Sequence, residues 1–400
     1  MDYSLAKMIE YAIAFLALYI TVFFLLVFVS KKDEMLKVPK LKKGWEPAIS
    51  VVIPAYNESD TVGKCIESVA SADYPQEKIE IIVVDDGSPD DTYGVAKSYA
   101  KKYPNVKVFR KENQGNAAYT KNYGIGKASG EIIATLDADS YIEKDTIRKM
   151  LPHFESEDVV AVTAAVKVDR PQNFLEKLQQ VEYLYTIFSR RVLVFLDSVQ
   201  VTPGPFSMFR HWVFKKIGGF DPTNILEDQE MAMRIQQHNY KIRSSLDANV
   251  YTEVPRGFWG LLRQRTRWHR GGLKNAVKYG NLIGPKYGDL GMIVMPLGLV
   301  AVVAIFAVIF INIYYYATRP AYPATMGLDA IWMGIGPIHV IGAIIFILTL
   351  AWTFYGIKVM KGEKVDPFMV LAYLFSYAYL ITLFWVSAIL KEVRGEKLKW

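Results

Sequence analysis

The chain has 400 residues, 52% hydrophobic and 22% charged, a mixture too apolar for a single soluble domain of ordinary composition. Its net charge of +7 suits contact with anionic lipid and with a phosphorylated substrate, and no nucleic-acid motif accompanies it, so nucleic acid is not an expected partner. The single cysteine, Cys65, excludes an intrachain disulfide and a cysteine-based zinc cluster.

The apolar residues are segregated along the chain. A first run, residues 8–29, exceeds the roughly 20 residues that cross a hydrocarbon core about 30 Å thick. It is long for a signal peptide and no small-x-small cleavage site follows, so residues 1–30 are expected to form an uncleaved anchor. Lys31, Lys32, Lys37, Lys40, Lys42 and Lys43 follow the run, against Lys7 alone before it. That asymmetry puts the amino terminus outside and the next segment in the cytoplasm.

Residues 47–255 read as a mixed α/β domain. Strands are expected at 48–56, 79–84, 106–109 and 132–136, with helices at about 60–70, 92–102 and after Gly115. Strands alternating with helices imply a parallel sheet with right-handed crossovers, in which ligands sit beyond the carboxyl ends of the strands. Polar residues gather at those ends: Tyr56-Asn57-Glu58, Asp85-Asp86 and Asp137-Ala138-Asp139. Residues 256–288 read as an interfacial amphipathic segment carrying Phe258, Trp259, Leu261, Leu262 and the stretch Gln264-Arg265-Thr266-Arg267-Trp268.

Residues 289–391 hold three further apolar runs, 290–316, 331–359 and 367–390. The loop with Lys358, Lys361 and Lys364 then falls inside, and the loop with only Arg319 outside. Four crossings are expected, which puts the tail outside. That tail carries Lys391, Arg394, Lys397 and Lys399, so either the charge rule is weak at a final tail or one apolar stretch re-enters instead of crossing. The expected location is the cell membrane, multi-pass, with the large domain cytoplasmic. Two polar residues within apolar runs, Asn312 and His339, have two readings: helix packing, or contact with a passing polymer.

The motifs carry specific chemistry. Asp137 and Asp139 stand at alternate positions after a buried strand, and hard oxygen ligands of this kind hold Mg²⁺ or Mn²⁺ together with substrate phosphates. Asp85-Asp86 offers a carboxylate to a base N–H such as the uracil imide, or else caps the next helix. Tyr56 is placed to stack on a base and Glu58 to accept from it, although a Tyr closing a buried strand is otherwise ordinary. Glu227-Asp228 precedes an amphipathic stretch, 229–237; the pair either complements the helix dipole or supplies a general base to an acceptor hydroxyl. Thr202-Pro203-Gly204-Pro205-Phe206-Ser207 fixes a turn that would position an acceptor beside that base. Arg267 would grip a diphosphate as an always-charged fork, and Trp268 would present its indole face to a sugar. The competing reading of 264–268 is headgroup anchoring.

This ordered set resembles the family 2 inverting glycosyltransferases, specifically the membrane-embedded processive type that includes cellulose, chitin and hyaluronan synthases. The matching residues are Val52-Ile53-Pro54-Ala55-Tyr56-Asn57-Glu58, Val83-Val84-Asp85-Asp86-Gly87-Ser88, Asp137-Ala138-Asp139, Gly204-Pro205, Glu227-Asp228, Thr252-Glu253-Val254-Pro255 and Gln264 to Trp268. The resemblance implies an α/β GT-A (Rossmann-like) fold, a UDP-sugar donor, a divalent metal and a carbohydrate acceptor polymer beside the lipid bilayer. By position it makes Tyr56, Glu58 and Asp86 uridine contacts, and Asp137 and Asp139 the diphosphate–metal site. Asp228, with Glu227, becomes the catalytic base; Gln264, Arg267 and Trp268 become gate-side contacts, and Gly204 and Pro205 acceptor contacts. The family's Gly-Lys-Ala segment departs here, since Asn116 follows Gly115; Lys121 is the candidate substitute. The implied product is a β-linked polymer extruded as it grows. The rival is transfer of one sugar to a polyprenyl phosphate, and a catalytically silent scaffold is disfavoured by intact Asp137, Asp139 and Asp228. Sequence leaves the oligomeric state open.

Overall fold

The computed structural model describes residues 3–41, 44–318, 336–360 and 362–396. Lys42, Lys43, Arg319, Lys361, Lys397 and Lys399 of the charge argument lie outside these residues, as does the side chain of Asn312. Helix α1 (Tyr3–Leu36) carries the first apolar run. Strands β1 (Ile49–Ala55), β2 (Ile79–Asp85), β3 (Val106–Arg110) and β4 (Ile132–Thr135) then alternate with helices α2 (Val62–Ala70), α3 (Thr92–Lys102) and α4 (Ala117–Ile125). These bounds fall within two residues of the expected ones.

Strands β5 (Ser140–Ile142), β6 (Val159–Val168), β7 (Ser207–Arg210) and β8 (Lys241–Thr252) complete an eight-stranded sheet of order β3-β2-β1-β4-β7-β6-β8-β5. The first four strands are parallel, as expected. The sheet as a whole is mixed, because β7 runs antiparallel to both β4 and β6, and β5 antiparallel to β8. The alternation that predicts parallel pairing stops at β4: only residues 136–139 separate it from β5, too few for a helical crossover.

The core lies on both faces of the sheet. Along β1, Ile49, Val51 and Ile53 face one layer with Val62, Ile66 and Val69 of α2. Val52 faces the other layer with Ala118 and Ile125 of α4. This two-sided burial explains why the strand reads as a continuous apolar run rather than an alternation. The second layer also holds α7 (His211–Ile217) and α8 (Glu227–Gln237); the short α5 (Thr146–Met150) belongs to the first.

Two longer helices cover the sheet domain where it meets the apolar helices. Helix α6 (Phe174–Leu193) begins with a capping box: Asn173 accepts from the Glu176 amide and Glu176 accepts from the Asn173 amide, both at 2.9 Å. Helix α9 (Phe258–Lys278) is the amphipathic segment expected over 256–285. After it come α10 (Met295–Thr318), preceded by one π turn, Leu290–Val294, then α11 (Pro337–Val359) and α12 (Pro367–Val393). Among the described residues, four helical segments are long and apolar enough to cross a membrane: Lys7–Leu36, Leu290–Ile311, Pro337–Val359 and Pro367–Val393. They coincide with the four runs in the sequence. His339 is exposed at the start of α11, where its Nδ1 accepts from the Gly336 amide at 3.1 Å.

Candidate active site

The carboxyl ends of β1, β2 and β4 open into one cleft of about 760 Å³. Every site residue expected from the sequence lines it: Tyr56, Glu58, Asp86, Asp137, Asp139, Gly204, Pro205, Glu227, Asp228, Gln264, Arg267 and Trp268. These residues come from six separate places along the chain. The sheet supplies the first five, the turn before β7 the next two, and the amino terminus of α8 and the middle of α9 the rest.

After β1, Tyr56 is half exposed (49%) at the rim. Glu58 accepts from Thr61 Oγ1 at 2.5 Å. Burial pushes the Glu58 carboxyl above its ordinary value against that hydrogen bond, and Glu253, Asp137 and Asp90 push the same way. After β2 the two acids divide. Asp85 turns inward, accepting from the Ser88 amide at 3.3 Å and pairing with Arg110 Nε at 3.0 Å. Asp86 pairs with Lys111 and faces the cleft. Neither caps α3, whose N-cap position is Asp91.

Asp137 and Asp139 follow β4. The Asp137 side chain keeps 35% of its surface open to the cleft and lies 3.9 Å from Lys121 Nζ. Burial raises it, Lys121 and Arg267 oppose the rise, and Glu227 adds to it. Asp139 is pushed up to about 7, first by burial and then by Asp137, with Glu58 and Glu253 contributing against a hydrogen bond from Ser140. Two carboxylates held in that state form a locus of negative charge that a divalent cation would relieve. Among the described residues no group of three or more His, Cys, Asp and Glu is arranged to hold a metal alone.

The turn before β7 explains its glycine. A Cβ on Gly204 would stand 2.5 Å from Asp137 Oδ2, so only glycine lets the turn close over that carboxylate. The same loop secures the next acid: the Thr202 amide and Oγ1 both donate to the Asp228 carbonyl, at 3.2 and 2.8 Å. Glu227 and Asp228 open α8, in its first turn. Glu227, 3% exposed, accepts from Lys121 Nζ at 2.8 Å. Asp228 Oδ1 accepts from the Gln229 amide at 2.7 Å. Burial and the neighbouring Glu227 charge push it up to about 6, while Lys121 and the Gln229 amide hold it down. Lys121 stays protonated: burial works against its charge, but Glu227, Asp137 and Asp228 outweigh it.

Helix α9 sorts its motif by periodicity. Gln264, Arg267 and Trp268, at i, i+3 and i+4, share one face and reach the cleft. Arg265, only 1% exposed, turns away to pair with Glu182 of α6 at 2.6 Å, and its guanidinium stacks over the Trp268 ring at 4.0 Å. Of the two arginines in the motif, one therefore faces the cleft and the other fixes the indole.

Several cleft residues had little or no signal in the sequence. Glu253 directly follows β8 and adds charge beside Asp139; the sequence match over Thr252 to Pro255 included it without giving it a role. Tyr183 sits within α6 among packing residues and reaches the cleft only because α6 crosses beneath it. Asn116 does double duty, capping α4 through the Ala118 amide at 2.8 Å and tying to the Pro222 carbonyl at 2.8 Å.

Residues 50–218 match the sequence profile described as glycosyl transferase family 2. A poly-beta-1,6-N-acetyl-D-glucosamine synthase of Staphylococcus epidermidis is 32% identical over 226 residues, covering 56% of this chain and 54% of its own. A beta-monoglucosyldiacylglycerol synthase of Trichormus variabilis is 27% identical over 247 residues, 61% of this chain and 53% of its own. The chain thus spans about half the length of these relatives. A mannosyltransferase of Pyrobaculum calidifontis, solved with GDP-Man and Mn²⁺, shares the fold with a TM-score of 0.63 at 21% identity, over 97% of this chain and 100% of that one.

Proposed function

We propose, on the premise that this chain carries a family 2 glycosyl transferase domain, that it transfers a sugar from a UDP-sugar to a carbohydrate acceptor with inversion, extending a β-linked polysaccharide processively at the membrane. The observation that carries this reading is the convergence of Asp139, Asp228 and Trp268 on one cleft with Asp228 raised to about 6. A carboxylate near that value is ionised at neutral pH yet basic enough to take a proton.

Tyr56, Glu58 and Asp86 receive the uridine at the mouth formed by β1 and β2. Asp137 and Asp139 would hold Mg²⁺ or Mn²⁺ with the donor phosphates, and such an ion when bound offsets charge on the departing diphosphate. Arg267 adds a fixed positive fork to the same group. Asp228 takes the proton of the acceptor hydroxyl as the acceptor oxygen bonds to the anomeric carbon and the bond from that carbon to the diphosphate oxygen breaks. The electron pair of that bond leaves with UDP, and the proton passes from Asp228 to water after release. Glu227 acts through charge, since Lys121 already occupies its carboxylate. Trp268 stacks the acceptor sugar, and Gly204-Pro205 shapes the floor on which it sits. Catalysis in this arrangement is differential: the cations meet negative charge that develops only as the bond breaks.

The glucosyldiacylglycerol synthase relationship favours one competing reading, transfer of a single sugar to a lipid acceptor such as a polyprenyl phosphate. Purified protein supplied in turn with UDP-Glc, UDP-GlcNAc, UDP-GlcA and UDP-Gal, with UDP release and product size recorded, separates the two. A ladder of long water-soluble chains supports the polymer reading. Label confined to a small lipid-extractable product refutes it, and no turnover with any donor refutes both.

A further inference from the structure

Helix α12 is long and apolar enough to cross a bilayer, yet both of its ends are fastened to the polar domain. Just before its start, Glu363 pairs with Lys167 of β6 at 3.0 Å, and that lysine is 3% exposed. At its far end, Arg270 of α9 donates to Glu392 Oε2 at 2.8 Å and to the Glu396 carbonyl at 2.6 Å. Close to that same end, Thr266 of α9 donates to Ser387 Oγ at 2.9 Å. Helix α9 is itself held on the polar domain, through Lys278 to Asp221 at 2.8 Å and Asn275 to Gln229 at 3.0 Å. A crossing helix would carry its far end about 30 Å away from the domain that holds its near end. Here the same domain holds both, although 27 residues reach about 40 Å.

The two faces of α12 differ accordingly. Met369, Tyr373, Tyr377, Phe384 and Ala388 recur at helical spacing and are buried, the first three against Leu178 and Val181 of α6. On the opposite side Phe368, Phe375, Tyr379 and Leu390 are 64, 64, 78 and 49% exposed. An apolar stripe running the length of a helix, unpartnered in water, marks a surface that meets something apolar.

We propose that α12 lies along the membrane with this stripe sunk among the lipid chains, that only α1, α10 and α11 cross, and that the carboxyl terminus stays on the side of the sheet domain. The occupant is the bilayer because the stripe is continuous with α11, where Phe346 meets Phe375 at 4.9 Å between ring centres. Helix α11 is itself a span-length apolar helix with little of its surface buried. Three crossings also remove the conflict in the charges, since Lys391 and Arg394 then fall on the same side as Lys358 and Lys364. This inference is independent of the transfer reaction and survives if the sugar or acceptor is different.

The test uses the full chain in sealed vesicles of uniform orientation. Single cysteines replace Lys97 on the sheet domain, Arg319 between α10 and α11, and Arg394 after α12, and each is offered a membrane-impermeant maleimide; the native Cys65 is fully buried. Arg394→Cys is expected to react from the same face as Lys97→Cys and opposite to Arg319→Cys; reaction on the Arg319 side overturns the proposal. Nitroxide labels at Phe368, Tyr379 and Leu390 give a second readout. All three are expected at one shallow depth, within about one helical turn of 5.4 Å. Tyr379 lying deeper than both others by about 15 Å, half a hydrocarbon core, overturns it, and so does any set of labels with no contact with lipid.

Discussion

Replacing Asp228 by Asn isolates the proposed base from the rest of the cleft. The amide keeps the size of the side chain and its place in the first turn of α8, but it cannot take a proton. General-base assistance is worth about 10²–10⁴-fold, so turnover is expected to fall by that factor. The proposed donor contacts lie elsewhere, on Tyr56, Glu58, Asp86, Asp137 and Arg267, so UDP affinity should change less than about threefold, under 1 kcal/mol. Stability should move the other way. Burial and Glu227 raise Asp228 from 3.8 to about 6, which means that the folded protein bears a cost for keeping this group ionised. That cost is present above pH 6, shrinks as pH falls through 6, and vanishes below the unfolded value near 3.8. A shift of this size corresponds to at most about 3 kcal/mol, so the Asn variant should melt higher than the parent at pH 8 and lose that advantage toward pH 5. UDP release measures turnover, calorimetric titration with UDP measures binding, and thermal unfolding at the two pH values measures stability. Loss of UDP binding in step with turnover, or a rate within tenfold of the parent, would refute the assignment of Asp228 as base.

The same value predicts that kcat/KM of the parent falls tenfold per pH unit below about 6, as Asp228 is protonated; a flat profile down to pH 5 contradicts it. Lys121→Met leaves the buried Glu227 without its partner, and removing one member of a buried pair costs about 3–5 kcal/mol, read as a drop in thermal midpoint together with lost turnover. Gly204→Ala drives a methyl against the Asp137 carboxylate; activity should drop at least tenfold while the melting temperature changes little, since the strain is confined to the cleft. Chelation with EDTA should abolish transfer and Mn²⁺ or Mg²⁺ should restore it, whereas undiminished activity in EDTA removes the metal role of Asp137 and Asp139. Trp268→Ala should raise the acceptor KM more than the donor KM, and Arg265→Ala should reproduce that pattern in milder form by freeing the indole it stacks on, a split visible in initial-rate kinetics.

Legibility followed the range of the interactions. The strands β1 to β4 and the helices between them lay where apolar runs and turn residues put them, because each depends on neighbours within about ten positions of the chain. The acids at the strand ends were legible for the same reason: a polar residue closing a buried strand has few places to point. The division of labour inside each motif was not. Asp85 and Asp86 are adjacent, yet Arg110 draws one inward and leaves the other to the cleft. Arg265 and Arg267 are two residues apart, and only the helical phase of α9 with Glu182 opposite it decides which reaches the cleft. Tyr183 entered the cleft through the crossing of α6, which no local pattern announces. The antiparallel half of the sheet was hidden as well, since it rests on pairings between segments up to 112 residues apart, such as Ser140 with Thr252.

By itself, the order of residues determined that an α/β domain stands between apolar runs and that acids gather at the ends of its strands. Hydropathy and strand-end placement are properties of short windows, so they can be read without coordinates. Only the tertiary structure decided that those acids share a cleft, that Lys121 neutralises Glu227 and leaves Asp228 as the strained carboxylate, and that both ends of α12 are tied to one domain. Each of these is a balance of burial against countercharge between segments far apart in the chain, and that balance exists only once the chain has folded.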